Sequence, residues 1–289
     1  MSIEKFIPEV WASKMLLEFQ RNAIFAGLTN REYEGDLTRG QTVHIVSPVP
    51  VKIKDYAAAG RTTTADDIQD TEITMTIDQE KSFDFYVDDI DKAQSVNPSE
   101  LNVYAQSASY GLVQDADQFL ANLAVKDTKV PTSTVDPADV RPGNKEAGNN
   151  AFNVLRDLRK ALNKADVPAE NRVFVANAEF EALLLSADSK LTSADTSGTT
   201  SGLRSAAIGN ILGFTGFTSN NLTEVDKPQV IAFHRSAIAY VSQIEKTEAM
   251  RAENKFADRL RGLHVYGGKL VRPEAIVKFT GVEADIKNP

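Results

Sequence analysis

A stretch that can form about seven turns of amphipathic helix constrains the fold of this 289-residue chain more than any other feature. Asn97 is suited to cap this helix, Pro98 to its first position and Glu100 to its first turn. At 1.5 Å per residue the helix measures on the order of 40 Å, longer than most small-domain cores, and it predicts a structural spine. Its apolar face comprises Leu101, Tyr104, Ala105, Ala108, Leu112, Ala116, Phe119, Leu120 and Leu123.

An alternating pattern of apolar and polar residues precedes the helix and predicts three strands. Their apolar positions are Val43, Ile45, Val49, Val51 and Ile53, then Ile73, Met75 and Ile77, then Phe83, Phe85 and Val87. The first two strands, joined by the small and polar segment 55–67, form a long hairpin whose tip has few residues for a core. Because a hairpin alone is marginal in water, either the rest of the chain or another subunit covers it, and we favour the second.

The second half of the sequence contains shorter elements. Residues 126–150 read as a boundary loop, after which Asn150 is expected to cap a helix that runs to Leu162. Residues 186–202 are predicted to form a mobile Ser/Thr-rich loop. A second helix lies around Phe180, and strand-like pieces cover 173–175, 214–218, 230–233, 239–241, 263–266 and 275–279. Helices and strands alternate irregularly, which predicts the α+β class.

Composition excludes several classes of protein. The chain has no cysteine, which excludes disulfides and thiolate chemistry and suits a reducing cytoplasm. Its formal net charge of −8 disfavours a dedicated nucleic-acid binder, although an acidic surface is equally typical of ordinary soluble proteins. No apolar run is long enough to span a membrane, and residues 1–6 do not resemble a secretory signal.

The sequence contains no recognisable catalytic, cofactor or metal motif. His44, His234 and His264 are far apart, and each is interpreted as a surface or packed histidine. The acidic cluster Asp84, Asp88, Asp89 and Asp91 lacks the pattern of a calcium loop and reads as a solvated strand end. We therefore expect no enzyme activity and no cofactor. An enzyme whose catalytic residues are dispersed along the sequence remains an alternative.

Several stretches, taken in order, resemble the major capsid proteins of tailed bacteriophages. No single stretch is specific, but their order and their fit to an arm, a hairpin and a spine helix carry the resemblance over nearly the whole chain. The stretches are Phe6–Ala12, Tyr33–Asp36, Arg39–Ile45, Thr76–Phe83, Asp88–Asp91, Asp115–Leu120 and Arg259–Pro273.

This resemblance implies the HK97-like capsid fold. Residues 1–40 would form an N-terminal arm and residues 41–82 an extended β-hairpin loop. Residues 83–150 and 245–289 would form a peripheral domain with the spine helix, and residues 151–244 an axial domain. Family members self-assemble as hexamers and pentamers of an icosahedral head around double-stranded DNA. The implied partners are many copies of the chain, a separate scaffolding protein and a portal, with assembly in the host cytoplasm and residence in the virion.

In a shell, the functional residues are those at subunit contacts. Phe6 and Trp11 would supply apolar area to the arm contact. Arg61 is the only charged residue in segment 57–65. It would either form a bidentate pair with a neighbour's carboxylate or remain a solvated loop arginine that contributes little energy. Lys52 and Lys54 also lie on the hairpin, but no acceptor for a crosslink is identifiable, so we expect no covalent crosslink.

Two other kinds of protein would share part of this pattern. An encapsulin-like nanocompartment has the same fold but encloses a protein cargo instead of DNA. Another virion component, such as a decoration or tail protein, would not need the long spine helix.

Overall fold

The computed structural model describes residues 23–34, 42–48, 53–58, 60–63, 65, 70–89, 100–186, 188–189, 210–222, 224 and 226–283. Among the predicted contact residues, Lys54 and Arg61 belong to this described part, whereas Phe6, Trp11 and Lys52 lie outside it. The predicted helix cap at Asn97 and Pro98 and most of the predicted loop 186–202 also lie outside it.

Four helices and ten strands form the described part of the chain. In order they are α1 (Phe25–Leu28), β1 (Thr42–Pro48), β2 (Asp70–Thr76), β3 (Gln79–Asp88), α2 (Glu100–Lys126), α3 (Ala147–Lys164), β4 (Arg172–Ala176), α4 (Ala178–Leu184), β5 (Asn210–Ile211), β6 (Phe214–Thr218), β7 (Gln229–His234), β8 (Ile238–Arg251), β9 (Ala257–Leu270) and β10 (Ile276–Thr280).

The strands form three sheets, with orders β1-β2, β3-β9-β8 and β10-β7-β4-β6-β5. Only β4 and β6 pair in parallel; the other described pairs are antiparallel. Because the segregated sheets and the helices do not alternate as parallel βαβ units, the predicted α+β class is confirmed.

The five-stranded sheet is buried on both faces, as the all-buried strand β4 shows. Val173 and Val175 of β4 face one apolar cluster, which also contains Leu120 of α2 and Phe25 of α1. Phe174 faces a second cluster, which the helices α3 and α4 complete. The alternation of side chains along each strand therefore makes this sheet the middle layer between the spine helix and the α3–α4 pair.

The spine helix α2 spans 27 residues, which confirms the predicted long helix. Its second half is anchored in the protein by the buried residues Ala116, Leu120, Ala121 and Ala124. In its first half, Tyr104 of the predicted apolar face is about half exposed, and so is Tyr110, which lies outside that face. The apolar face of the helix therefore extends beyond the part that its own chain covers.

Two local expectations were wrong. Helix α3 begins at Ala147 with Glu146 as its cap residue, so Asn150 lies inside the first turn, where its side-chain amide donates to the carbonyl of Asp139 at 3.1 Å. Strands β8 and β9 have 14 residues each and continue well beyond the short apolar pieces predicted from the sequence. Charged residues at alternating positions extend both strands, and apolar periodicity alone does not detect them.

The division into domains stays a prediction, and two strands bear on where its boundaries fall. Strand β10 comes from the segment assigned to the peripheral domain, yet it pairs with β7 in the five-stranded sheet. Strand β8 runs across the proposed boundary between residues 244 and 245.

Candidate assembly surfaces

The base of the β1–β2 hairpin is attached to the three-stranded sheet by a small apolar cluster. Val43 and Ile45 of β1 and Met75 of β2 are buried against Ala239 and Val241 of β8. The polar residues between them point to solvent, as the alternation predicted. The hairpin is thus fixed at its base by this cluster.

The hairpin tip has an ordered turn of its own. Asp55 Oδ1 accepts hydrogen bonds from the backbone N–H of Ala57 at 2.9 Å and of Ala58 at 3.3 Å. The backbone N–H of Arg61 donates to the carbonyl of Tyr56 at 3.0 Å, and both Gly60 and Arg61 have positive φ, 66° and 62°. A left-handed conformation is costly for arginine, so the turn holds this residue in a defined position.

The described side chains at this tip are exposed to solvent. Ile53, Tyr56, Lys54 and Arg61 are all exposed, and Ile53 is completely so. Among the described residues, Arg61 takes part in no ion pair. An ordered turn that presents an isoleucine, a tyrosine and an arginine to solvent is typical of a contact surface, because these residue types dominate buried interfaces.

A second surface is the outer face of the β3-β9-β8 sheet, which carries a ladder of ion pairs. Arg259 of β9 makes a bidentate pair with Asp84 of β3, in which Nε lies 2.9 Å from Oδ1. Arg261 of β9 donates from Nε and a terminal nitrogen to Glu248 of β8, at 3.0 and 2.6 Å. Lys246 Nζ is 2.5 Å from the other oxygen of Glu248. These pairs connect all three strands across their exposed face.

The ladder shifts the ionisation of its members. Hydrogen bonds from Lys246 and then Arg261 lower the pKa of Glu248 to about 2. The hydrogen bond from Arg259 lowers the pKa of Asp84 and raises that of Arg259 itself. All of these groups are at least partly exposed to solvent in the subunit, so salt screens them and they add little to its stability. Their fixed geometry is better suited to presenting a charge pattern to a partner than to stabilising the subunit.

The far end of this sheet is the β8–β9 turn, which exposes apolar area. Phe256 in the turn is 83% exposed, and Tyr86 of β3 is about half exposed. The guanidinium of Arg259 lies 5.4 Å from the Tyr86 ring centre, and Lys255 Nζ lies 5.8 Å from it. Next to this pair, Arg251 bridges Asp89 and Asp258 with contacts of 2.6 and 2.8 Å. Aromatic and cationic groups therefore alternate along this edge.

The residues considered for chemistry do not form a site. His44 pairs with Glu72 on the exposed face of the hairpin, His234 Nδ1 lies 2.8 Å from Ser236 Oγ, and His264 is buried against the Tyr266 ring. Within the described residues no three His, Cys, Asp or Glu side chains are grouped as metal ligands. No helix there is both long and apolar enough to cross a membrane.

At the predicted solvated strand end, Asp84 and Asp89 remain partly exposed and also belong to the ion-pair surface, since they pair with Arg259 and Arg251. Sequence reasoning missed this ladder. The signal that could have found it is the period-two spacing of charges at Lys246 and Glu248 and at Arg259 and Arg261. Strand assignment from apolar residues alone passes over such a pattern.

Comparison with protein families identifies a capsid family. The family described as "Phage capsid protein" matches residues 36–283, which is most of the chain. No curated protein matches the sequence.

Comparison with solved structures gives many matches. A structure from Mycobacterium phage Che8 is 46% identical to this chain and has a TM-score of 0.87. The match covers 96% of this chain and 98% of the Che8 chain. The capsid structure of the cyanophage P-SCSP1u is 15% identical, with a TM-score of 0.80, and the match covers 98% of this chain and 95% of the cyanophage chain. A virus-like particle from Pyrococcus furiosus is 17% identical, with 83% and 86% coverage and a TM-score of 0.50. The fold is the HK97-like capsid fold.

Proposed function

This chain belongs to the phage capsid protein family and is a major capsid protein of the tailed-phage type, and from that premise we propose how it builds a shell. Its copies pack as hexamers and pentamers of an icosahedral head, and the contacts between them are made by the arm, the hairpin and the outer face of the three-stranded sheet. The observation that carries this proposal is the hairpin tip, which is ordered by its own hydrogen bonds although its side chains are exposed.

The hairpin reaches the neighbouring subunit in this proposal. A strand rises about 3.3 Å per residue, so the seven residues of β1 alone carry the tip on the order of 20 Å from the base. There Ile53 and Tyr56 bury apolar area, and Lys52 and Lys54 supply positive charge beside them. Arg61 forms a bidentate pair with a carboxylate of the neighbour. Phe6 and Trp11 anchor the arm on another subunit in the same way.

The remaining partners follow from the same function. The head encloses double-stranded DNA without reading its sequence, and the net charge of −8 supports this because it prevents the wall from binding the packed phosphates tightly. A separate scaffolding protein and a portal complete the assembly, which takes place in the host cytoplasm before the chain resides in the virion. The chain acts as a wall and not as an enzyme, with arm 1–40, extended loop 41–82, axial domain 151–244 and the remainder as peripheral domain.

A nanocompartment shell is the second candidate function, and the similarity to the virus-like particle is the observation that favours it. The two functions differ in what the particle contains. Nuclease-protected DNA of genome length inside particles from infected cells supports the phage head. A single protein cargo in the absence of DNA would support the nanocompartment.

Size-exclusion chromatography with negative-stain microscopy tests whether the chain builds a shell at all. The chain is expressed alone, and then together with any scaffolding protein encoded beside it. Hollow icosahedral particles, or rings of five and six, are the expected products. A monodisperse monomer or dimer under both conditions would overturn the proposal.

The Arg61→Ala variant is expected to leave the dissociated subunit as stable as the wild type while weakening the shell. If the guanidinium forms a desolvated pair with the neighbour, its removal costs about 2–5 kcal/mol at each contact. If it is a solvated loop arginine, the loss is about 0–1 kcal/mol. The denaturant concentration at which particles dissociate measures the difference, since each shell repeats the contact many times.

Two further variants sharpen this comparison. Arg61→Lys keeps the charge but cannot make the bidentate pair, so it should weaken the shell nearly as much as alanine. Arg156→Ala removes an exposed arginine from α3 and serves as the matched control. If particles of Arg61→Ala and of Arg156→Ala dissociate at the same denaturant concentration, the proposed role of Arg61 is refuted.

A further inference from the structure

Asp117 of the spine helix is a fully buried carboxylate at the root of the N-terminal arm. Its Oδ1 accepts a hydrogen bond from the backbone N–H of Phe25 at 2.6 Å and a longer one from Ala26 at 3.4 Å. Its Oδ2 accepts from Asn221 Nδ2 at 2.8 Å. Burial raises the pKa of Asp117, and the hydrogen bonds from Asn221 and from the backbone N–H groups act in the opposite direction.

The backbone donors and the Asn221 donor come from distant parts of the chain. Phe25 begins the four-residue helix α1, whose own cap residue Ile24 provides no side-chain hydrogen bond. Asn221 follows β6, in a loop that the hydrogen bond from the Ser219 N–H to the Ala176 carbonyl at 2.9 Å ties to β4. Asp117 therefore connects the arm root and the five-stranded sheet through the spine helix.

Two other contacts hold residues 25–30 against the sheets. The Phe25 ring packs on Phe233 of β7, with centroids 6.3 Å apart. The backbone of Asn30 bridges β8, donating to the Ile238 carbonyl and accepting from the Tyr240 N–H, both at 2.9 Å. Among these contacts, the hydrogen bonds of Asp117 are made to the backbone positions closest to residues 1–22. They are thus best placed to determine the direction in which the chain leaves the spine.

We propose that Asp117 is a positioning residue for shell assembly, which fixes where the N-terminal arm leaves the spine helix and couples that point to the loop around Asn221. Its hydrogen bonds are replaceable in the fold, because Phe25 and Asn30 keep their own contacts. They are not replaceable in assembly, because an arm that leaves its subunit in the wrong direction cannot reach its neighbour. The consequence for shells rests on the proposed function, whereas the coupling itself is a property of the free subunit.

Limited trypsin digestion of the dissociated subunit tests the coupling. Arg21 is the site nearest to the anchor on its arm side, and Lys164 at the end of α3 serves as the internal reference. In Asn221→Ala, cleavage after Arg21 is expected to rise roughly tenfold relative to cleavage after Lys164, because the opened fraction of the anchor sets the rate. Among the described residues, Asn221 and the arm root are joined through the side chain of Asp117, so we expect this response to be transmitted through that carboxylate.

Asp117→Asn is the second variant, since it keeps the shape of the side chain but removes the charge that binds the Phe25 N–H. It should raise the same cleavage ratio and lower the yield of closed particles. Asn210→Ala, which removes an exposed amide side chain from β5, is the matched control and should behave as the wild type.

An unchanged ratio in Asn221→Ala, or cleavage that rises equally at Arg21 and Lys164, would overturn the inference and leave Asp117 as an ordinary buried side chain. If Asp117→Asn does not fold, Asn221→Ala decides alone. Failure of the wild type to form particles would count against the proposed function, but the cleavage ratio would still test the coupling.

Discussion

The Tyr266→Ala variant is expected to lose about 3–5 kcal/mol of the free energy of unfolding of the dissociated subunit, the usual cost of deleting a large buried ring. Tyr266 of β9 is fully buried where the three-stranded sheet meets the spine helix. Its ring centre is 5.5 Å from that of Phe119 and 4.8 Å from that of His264. Urea unfolding of the variant and the wild type measures the loss.

Two controls separate the ring from its hydroxyl. The Tyr266 O–H donates to Asp115 Oδ2 at 2.6 Å, and burial followed by this hydrogen bond raises the pKa of the phenol, so it remains a donor at neutral pH. Tyr266→Phe removes only this donor. Because the Asp115 side chain is 42% exposed, water can replace the phenol and the loss should be roughly 0.5–1.5 kcal/mol.

The second control is Tyr110→Ala, which deletes a ring that is about half exposed on the spine helix. Its effect on the subunit should remain within about 0.5 kcal/mol. Equal losses for Tyr266→Ala and Tyr266→Phe would contradict the prediction, because they would mean that the packing of the ring contributes nothing.

The elements that depend on local pattern could be predicted from the sequence. The spine helix follows from apolar residues spaced by three and four, and the β1–β2 hairpin from alternation on either side of a small polar segment. In both cases the information lies within a short window. The resemblance to capsid proteins added the family and the fold, which the comparisons confirm.

The contacts that join distant segments could not be predicted in the same way. Asp117 is 92 residues from Phe25 and 104 from Asn221, and in the sequence it is simply one of three acidic residues on a helix. The charges of β8 and β9 read as solvated surface until strand pairing brings Glu248 opposite Arg261. Registers between strands and the burial of single polar groups depend on the complete fold, so one sequence does not reveal them.

Gly267 of β9 is the residue at which the smallest substitution should have a large effect on shell geometry. It is adjacent to Tyr266, but its missing side chain faces the hairpin instead of the spine. A Cβ atom at this position would lie 2.6 Å from the carbonyl oxygen of Thr76, the last residue of β2, and 2.9 Å from the Cα of Ile77, which follows it. Both are backbone atoms, so rotation of a side chain cannot relieve the clash.

The Gly267→Ala variant is therefore expected to lose about 1–3 kcal/mol of the free energy of unfolding, the usual cost of overpacking a close contact. The matched control is Gly111→Ala on the exposed side of the spine helix, where nothing lies within 4 Å of the added atom. There the same substitution should stabilise the subunit by about 0.5–1 kcal/mol, because alanine is the better helix former. Urea unfolding should thus show that the same Gly→Ala substitution lowers the free energy of unfolding at Gly267 and raises it at Gly111.

The effect of Gly267→Ala on assembly should exceed its effect on stability. The turn at Thr76 and Ile77 must move away from β9 to admit the methyl group, and the base of the hairpin moves with it. Since the tip lies on the order of 20 Å or more from that base, a small rotation there displaces Arg61 and Tyr56 by more than a hydrogen bond tolerates. Negative-stain microscopy should therefore find few closed particles although the subunit stays folded. Normal shells from a destabilised Gly267→Ala subunit would show that the hairpin adapts to its neighbour and that its base does not determine its orientation.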